Sequence, residues 1–380
     1  MYLQKFKELN TILERDSTDT TYKYALLRGL SEICQHYTHF MEIDSDRVWF
    51  PLGLLVEKWL LYYYPIFANT YFIPQKPSEQ DLDKPGYKIS FRKQFSKITS
   101  YYEDKGGFSV FYNDYRKGRM PEEINYELLE LLKKLQYTIT RYPMKHLGYS
   151  VTREHYKFFE FKRGGSIRKQ AVTPELVVNK FGRFSISREF FEIFNLFGGF
   201  ISGDHSILNK WAEFTVHSDK TGRLSQNEVL DILTIQPITE RDVRDTVNLA
   251  ESILNKEGQL TCVWTGRKIR SKSDLHIDHV IPFSVWSNND LWNLLPTHKD
   301  TNIKKRDQIP SPELLEKRKT EVLNYWRKFR SHYTTRFDTE IRLSLIGAVG
   351  DDDILIEAFE KLKEKVEYLI ELYGYPEWNI

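Results

Sequence analysis

Asp278 and His279 stand side by side in the C-terminal half of a 380-residue chain; Asn293 follows fourteen residues after His279, and Asn302 nine residues after that. Hydrolysing a phosphodiester at neutral pH takes a nucleophilic water, a base to receive its proton, and positive charge against the negative charge that develops on the phosphoryl oxygens. The Asp278 carboxylate and the Asn302 amide oxygen are ligand types suited to Mg²⁺ or Mn²⁺, hard cations that keep several waters and accept a phosphate oxygen. Imidazole, with a reference pKa of about 6.5, can stay neutral at cellular pH, so His279 is the candidate base. Its orientation needs a partner, and Asn293 is the candidate for pinning the loop that carries it. Successive strand residues face opposite sides, so a loop or twist must bring Asp278 and His279 to one phosphate. His276 shares the face of Asp278, and His298 falls one helical turn before Asn302; both are candidates to support the ligands from behind, with plain packing as the commoner outcome for such histidines.

The elements that must position these groups are legible in outline. Residues 260–264 and 275–281 run apolar or alternate like strands, Thr265-Gly266 supplies a turn between them, and 297–306 reads as a helix. The result is a strand, loop, strand, helix unit.

The run Asp278-His279-Val280-Ile281-Pro282, with Asn293, Asn302 and Lys305 behind it, resembles the HNH endonucleases, whose fold is a ββα-metal unit. The separations are similar to those in the HNH domain of RNA-guided CRISPR effector nucleases. The resemblance covers about fifty residues. It implies that Asp278 and Asn302 hold Mg²⁺ or Mn²⁺, that His279 is the general base, and that Asn293 braces the loop between the strands. Lys305 would contact backbone phosphate, with Lys304 and Arg306 in the same basic run. Many HNH proteins carry a knuckle of paired Cys-x-x-Cys motifs, whereas the corresponding CVWTG keeps only Cys262, so no structural zinc is expected and Cys262 reads as a small buried strand residue. The implied activity is cleavage of DNA by in-line attack, leaving 5′-phosphate and 3′-hydroxyl ends. An RNase stays open, because such a site reads the phosphate and not the sugar. From a different class comes a nucleic-acid-binding or assembly subunit that no longer cuts. A nuclease free in a cell would attack its host, so gating by sequence, modification or a protein partner is expected, as in restriction or antiphage defence. Double-strand cleavage by a single centre would need a second copy, hence a homo-oligomer.

The rest of the chain sets bounds. Net charge is only +2, but residues 259–336 hold 15 Lys and Arg against 8 Asp and Glu, while 337–380 hold 4 against 11. A local basic excess beside the site suits phosphate, since each neutralising cation releases condensed counterions; a solvated helix face is the alternative. Two cysteines make no disulfide framework, and no run is long and apolar enough to span a membrane, so a cytoplasmic protein is expected. The expected fold class is α+β: a mainly helical region 1–225 for substrate or partner recognition, an HNH domain 226–310, and a helical extension 311–380. Within the first region, 155–161 and 166–172 read as a β-hairpin around Gly164 and Gly165, and Pro51 as the first residue of a helix. Tyr62, Tyr63 and Tyr64 read as core, with base stacking as the alternative. A helix over 240–256 capped by Thr239 announces the catalytic segment. The basic, aromatic stretch 312–331 can be either a nucleic-acid surface or an amphipathic helix with its aromatics inward. The acidic stretch 351–377 reads as a covering helix, and His205 as loop structure.

Overall fold

The computed structural model describes residues 2–80, 88–165, 167, 170–202, 207–347 and 353–380; His205 and some of 166–172 lie outside them. The protein is α+β, and it divides into two compact units, Met1–Ile238 and Thr239–Ile380. Residues 226–238 therefore fall in the first unit, and 311–380 share the unit of the HNH segment, so two units stand where three domains are expected. Among the described residues no helix is long and apolar enough to cross a membrane.

The first unit is built around helix Leu52–Ala68, which buries Trp59, Leu60, Tyr62, Tyr63 and Tyr64. A helix with no polar face belongs inside a domain. The Tyr63 ring packs 5.2–5.5 Å from Trp59, Phe91 and Trp211, so the tyrosine triplet is core. A Cβ on Gly53 would meet the Val177 carbonyl at 1.9 Å, which is why glycine stands where this helix meets helix Pro174–Lys180. Pro51 closes the preceding strand, Arg47–Pro51, instead of opening the helix. The expected hairpin is also re-paired. Strand Glu160–Arg163 runs antiparallel to Gly182–Ser187, which in turn pairs with Arg47–Pro51 and through it with Glu42–Asp44. Phe184 and Ile186 put two buried apolar side chains on one face of Gly182–Ser187, and Ser185 between them is buried as well, accepting from Arg47 on the neighbouring strand.

In the second unit, strand Leu275–His279 pairs antiparallel with Leu294–His298, and helix Lys299–Lys305 follows directly. The segment at 260 does not join this pair; Leu260–Thr261 forms its own hairpin with Lys268–Ile269. Helix Arg244–Glu257 begins four residues later than the sequence pattern suggests, because residues 240–242 are held by Asn289: its Nδ2 donates to the Glu240 carbonyl at 2.8 Å and its Oδ1 accepts from Asp242 N at 3.0 Å.

The C-terminal helices complete the core of this unit. Helix Lys319–His332 buries Tyr325, Trp326 and Phe329, and helix Ile354–Tyr373 buries Leu355, Phe359, Leu362 and Val366, spaced as one helical face. The aromatics of 312–331 thus face inward, and the Trp326 indole donates to the Trp292 carbonyl at 2.9 Å. Strand Ile309–Pro310 lies parallel to Glu377–Trp378, bringing the last described residues back beside the HNH segment.

Candidate active site

The strand Leu275–His279 alternates as its sequence requires, and this sets which groups meet. His276 and Asp278 share one face, and helix Lys299–Lys305 brings Asn302 to it, with Asn302 Nδ2 3.2 Å from His276 Nδ1. His276 thus touches one of the two expected ligands directly. His298 is the last residue of its strand and caps the helix: its Nδ1 accepts from Asp300 N at 3.2 Å. It therefore stands at the cap of the helix that carries Asn302 and not one turn before Asn302 within that helix, a correction to the expected placement.

Asp278 is almost fully buried. Its Oδ2 accepts from the Trp264 indole at 2.6 Å, and the Lys305 ammonium lies 3.1 Å from the same oxygen and 3.2 Å from Oδ1. Lys305 also donates to the His279 carbonyl at 2.8 Å and is fully buried, so it is not the surface phosphate contact expected of it; the exposed cations of that run are Lys304 and Arg306. Burial pushes the Asp278 carboxyl up and the Lys305 ammonium down, and each group's charge opposes the shift of the other.

Asn293 is the brace of the loop. Its Oδ1 accepts from Ile281 N at 2.8 Å, its Nδ2 donates to the Ile281 carbonyl at 3.1 Å, and its own carbonyl accepts from Val280 N at 2.8 Å. These bonds fix the backbone directly after His279. The remainder of the loop is anchored by the C-terminal helices: Ser344 donates to Asp290 and Leu291 N donates to Glu340, both at 2.6 Å.

The His279 imidazole is 2% exposed, with Phe283 edge-on at 5.5 Å between ring centres, Nε2 3.4 Å from Asn289 Oδ1, and Nδ1 buried without a hydrogen-bond partner among the described residues. Burial, followed by the positive charge of Arg241, pushes its pKa down to about 4, so the ring is uncharged at neutral pH. His276 is lowered for the same first reason, with Lys299 and Arg241 adding to it.

Asp278 and Asn302 are oxygen donors of this strand and helix whose chemistry suits a hard cation. A carboxylate offers about four lone-pair positions, and Asp278 commits three contacts. Asn302 spends its Nδ2 on His276, and its Oδ1 accepts no hydrogen bond among the described residues. Cys262, expected as a strand residue, lies in the turn after Leu260–Thr261, fully buried with Sγ 3.1 Å from Thr297 Oγ1.

Arg241 and Asn289 stand by His279 at positions that motif spacing does not mark. Both lie off the motif positions, and the only sequence signal is a basic residue just before a helix and an asparagine pair at 288–289.

Residues 262–311, which include this strand pair and helix together with Asp278, His279, Asn293 and Asn302, match the family described as HNH endonuclease. Residues 3–233, well over half of the chain, match a family described as domain of unknown function (DUF8808), and the chain belongs to that family. No curated protein matches the chain.

Proposed function

We propose that this protein is a divalent-metal endonuclease that hydrolyses phosphodiester bonds in DNA, with its centre at Asp278, His279 and Asn302. The observation that carries the reading is that a segment matched to HNH endonucleases holds an uncharged imidazole directly after a carboxylate in one strand, with Asn302 brought against the His276 that shares the carboxylate's face. Asp278 and Asn302 would hold Mg²⁺ or Mn²⁺, with His276 orienting the Asn302 amide. When bound, the cation supplies positive charge against the charge developing on the phosphoryl and leaving oxygens. His279 takes the proton of the attacking water on the nitrogen left unprotonated in the uncharged ring. Asn293 holds the backbone that aims the ring. His276 and Asn302 are half-buried, unlike Asp278 and His279, and mark the edge at which a phosphate meets the site.

The region 3–233 supplies substrate or partner recognition, and restriction or antiphage defence is the setting in which such a nuclease is gated. One observation favours the second reading, a binding or assembly subunit that does not cut: the Lys305 ammonium already neutralises Asp278. Incubating purified protein with supercoiled plasmid separates the two. The nuclease reading predicts nicking that needs Mg²⁺ or Mn²⁺, stops with EDTA, is lost in His279→Ala, and leaves ends that a ligase can rejoin. Plasmid that is bound but never cut, with either metal, would establish the silent subunit; cleavage of RNA alone would reassign the substrate.

A further inference from the structure

We propose that Arg241 is a phosphate-binding residue of this site, contributed from outside the matched HNH segment and seated beside His279 by Asn289. The proposal rests on the nuclease reading and adds a residue that the motif does not contain.

Asn289 grips the backbone on both sides of Arg241, donating to the Glu240 carbonyl at 2.8 Å and accepting from Asp242 N at 3.0 Å. The same Oδ1 lies 3.4 Å from His279 Nε2. One amide thus ties the residues flanking Arg241 to the imidazole. The Arg241 side chain is exposed and, among the described residues, makes no hydrogen bond or ion pair. Three other arginines of this unit are committed, Arg244 to Asp242, Arg267 to Asp300, and Arg336 to Asp245 and Glu340, while Arg270 and Arg306 are, among the described residues, unpaired like Arg241 but lack its tie to His279 through Asn289. An unpaired guanidinium needs no carboxylate stripped away before it can bind an anion. Its charge also bears on His276, Asp278, His279 and Lys305 alike, so it stands within electrostatic reach of every group in the site.

The chemistry that would complete such a group is a phosphodiester. A planar guanidinium presents paired donors to two non-bridging oxygens, and a donor aimed at oxygens that gain charge in the transition state assists the rate as well as binding. Lys305, the cation the motif offers for this purpose, is consumed by Asp278 and the His279 carbonyl. Arg241 takes over the role that this burial denies to Lys305.

The test compares wild type, Arg241→Ala and Arg241→Lys in two measurements. The first is anisotropy of a short fluorescein-labelled DNA duplex across a KCl series in EDTA; the second is plasmid cleavage with Mg²⁺ or Mn²⁺. Arg241→Ala is expected to lower the slope of log K against log[KCl] by about 1 and kcat/KM for cleavage by about 100-fold. Arg241→Lys restores the slope and not the rate, because a point charge lacks the paired donors. A wild-type slope in Arg241→Ala overturns the proposal whatever cleavage does. Wild-type protein that binds the duplex and never cuts removes the nuclease reading while the slope still decides Arg241; no binding at all overturns both.

Discussion

The Lys305 ammonium lies 3.1 Å from the Asp278 carboxylate, with one side chain fully buried and the other nearly so. Two charges out of water are tolerated only while they face each other. Lys305→Met should therefore cost about 3–5 kcal/mol of stability by leaving a buried carboxylate uncompensated. The double variant with Asp278→Asn should lose less than the two single losses combined. Urea denaturation of the four proteins measures the coupling, and strictly additive losses would contradict it.

Asn293 supports His279 through backbone alone. Asn293→Ala strands the buried Ile281 N–H, an unsatisfied donor that costs about 1–3 kcal/mol. Lower thermal stability and loss of hydrogen-exchange protection at the Ile281 amide are the expected outcomes, with plasmid nicking falling in step. Full protection of that amide in the variant would show that another contact fixes the loop.

Glu340 gives the loop a pH dependence. It accepts from Leu291 N and from Arg336, both at 2.6 Å. Burial, then the charge of Asp290, pushes its carboxyl up to about 7 from an ordinary 4.5. The folded protein thus holds this proton more tightly than the unfolded chain does. Stability from this group is fully present below about pH 4.5 and is lost as pH rises through about 7, by at most about 3 kcal/mol. Thermal midpoints of wild type and Glu340→Gln, followed across that window, should converge at the acid end and separate at the alkaline end, with the variant the more stable. Parallel curves would place the titration elsewhere.

Alternation along 275–279 put His276 with Asp278 and against His279, and the structure keeps that pattern. Strand Leu294–His298 was hidden for two physical reasons. It is buried along its whole length, so it lacks alternation, and Pro296 argues against a strand interior. The strand tolerates Pro296 because the sheet has only two strands, so a missing N–H breaks no second ladder, while the Pro296 carbonyl accepts from Val263 N at 3.0 Å. The burial of Lys305 has no local signal, since a lysine in a basic run reads as surface until the carboxylate opposite it is known. Likewise the strand pairing of Glu160–Arg163 depends on a partner some twenty residues further on, beyond the reach of turn chemistry. The recruitment of 311–380 into the HNH unit rests on contacts such as Trp326 to Trp292 and Ser344 to Asp290 that composition does not announce.

The central claim, that Asp278 and Asn302 hold a divalent cation beside His279, is tested most directly by Mn²⁺ titration followed by electron paramagnetic resonance. Wild type should take up Mn²⁺ at a single saturable site. Asn302→Ala, a change at a half-buried residue, should lose that site, and Asp278→Asn should lose it too. His279→Ala should bind Mn²⁺ as wild type does and yet leave plasmid uncut. Mn²⁺ uptake that is the same in wild type, Asn302→Ala and Asp278→Asn would contradict the account.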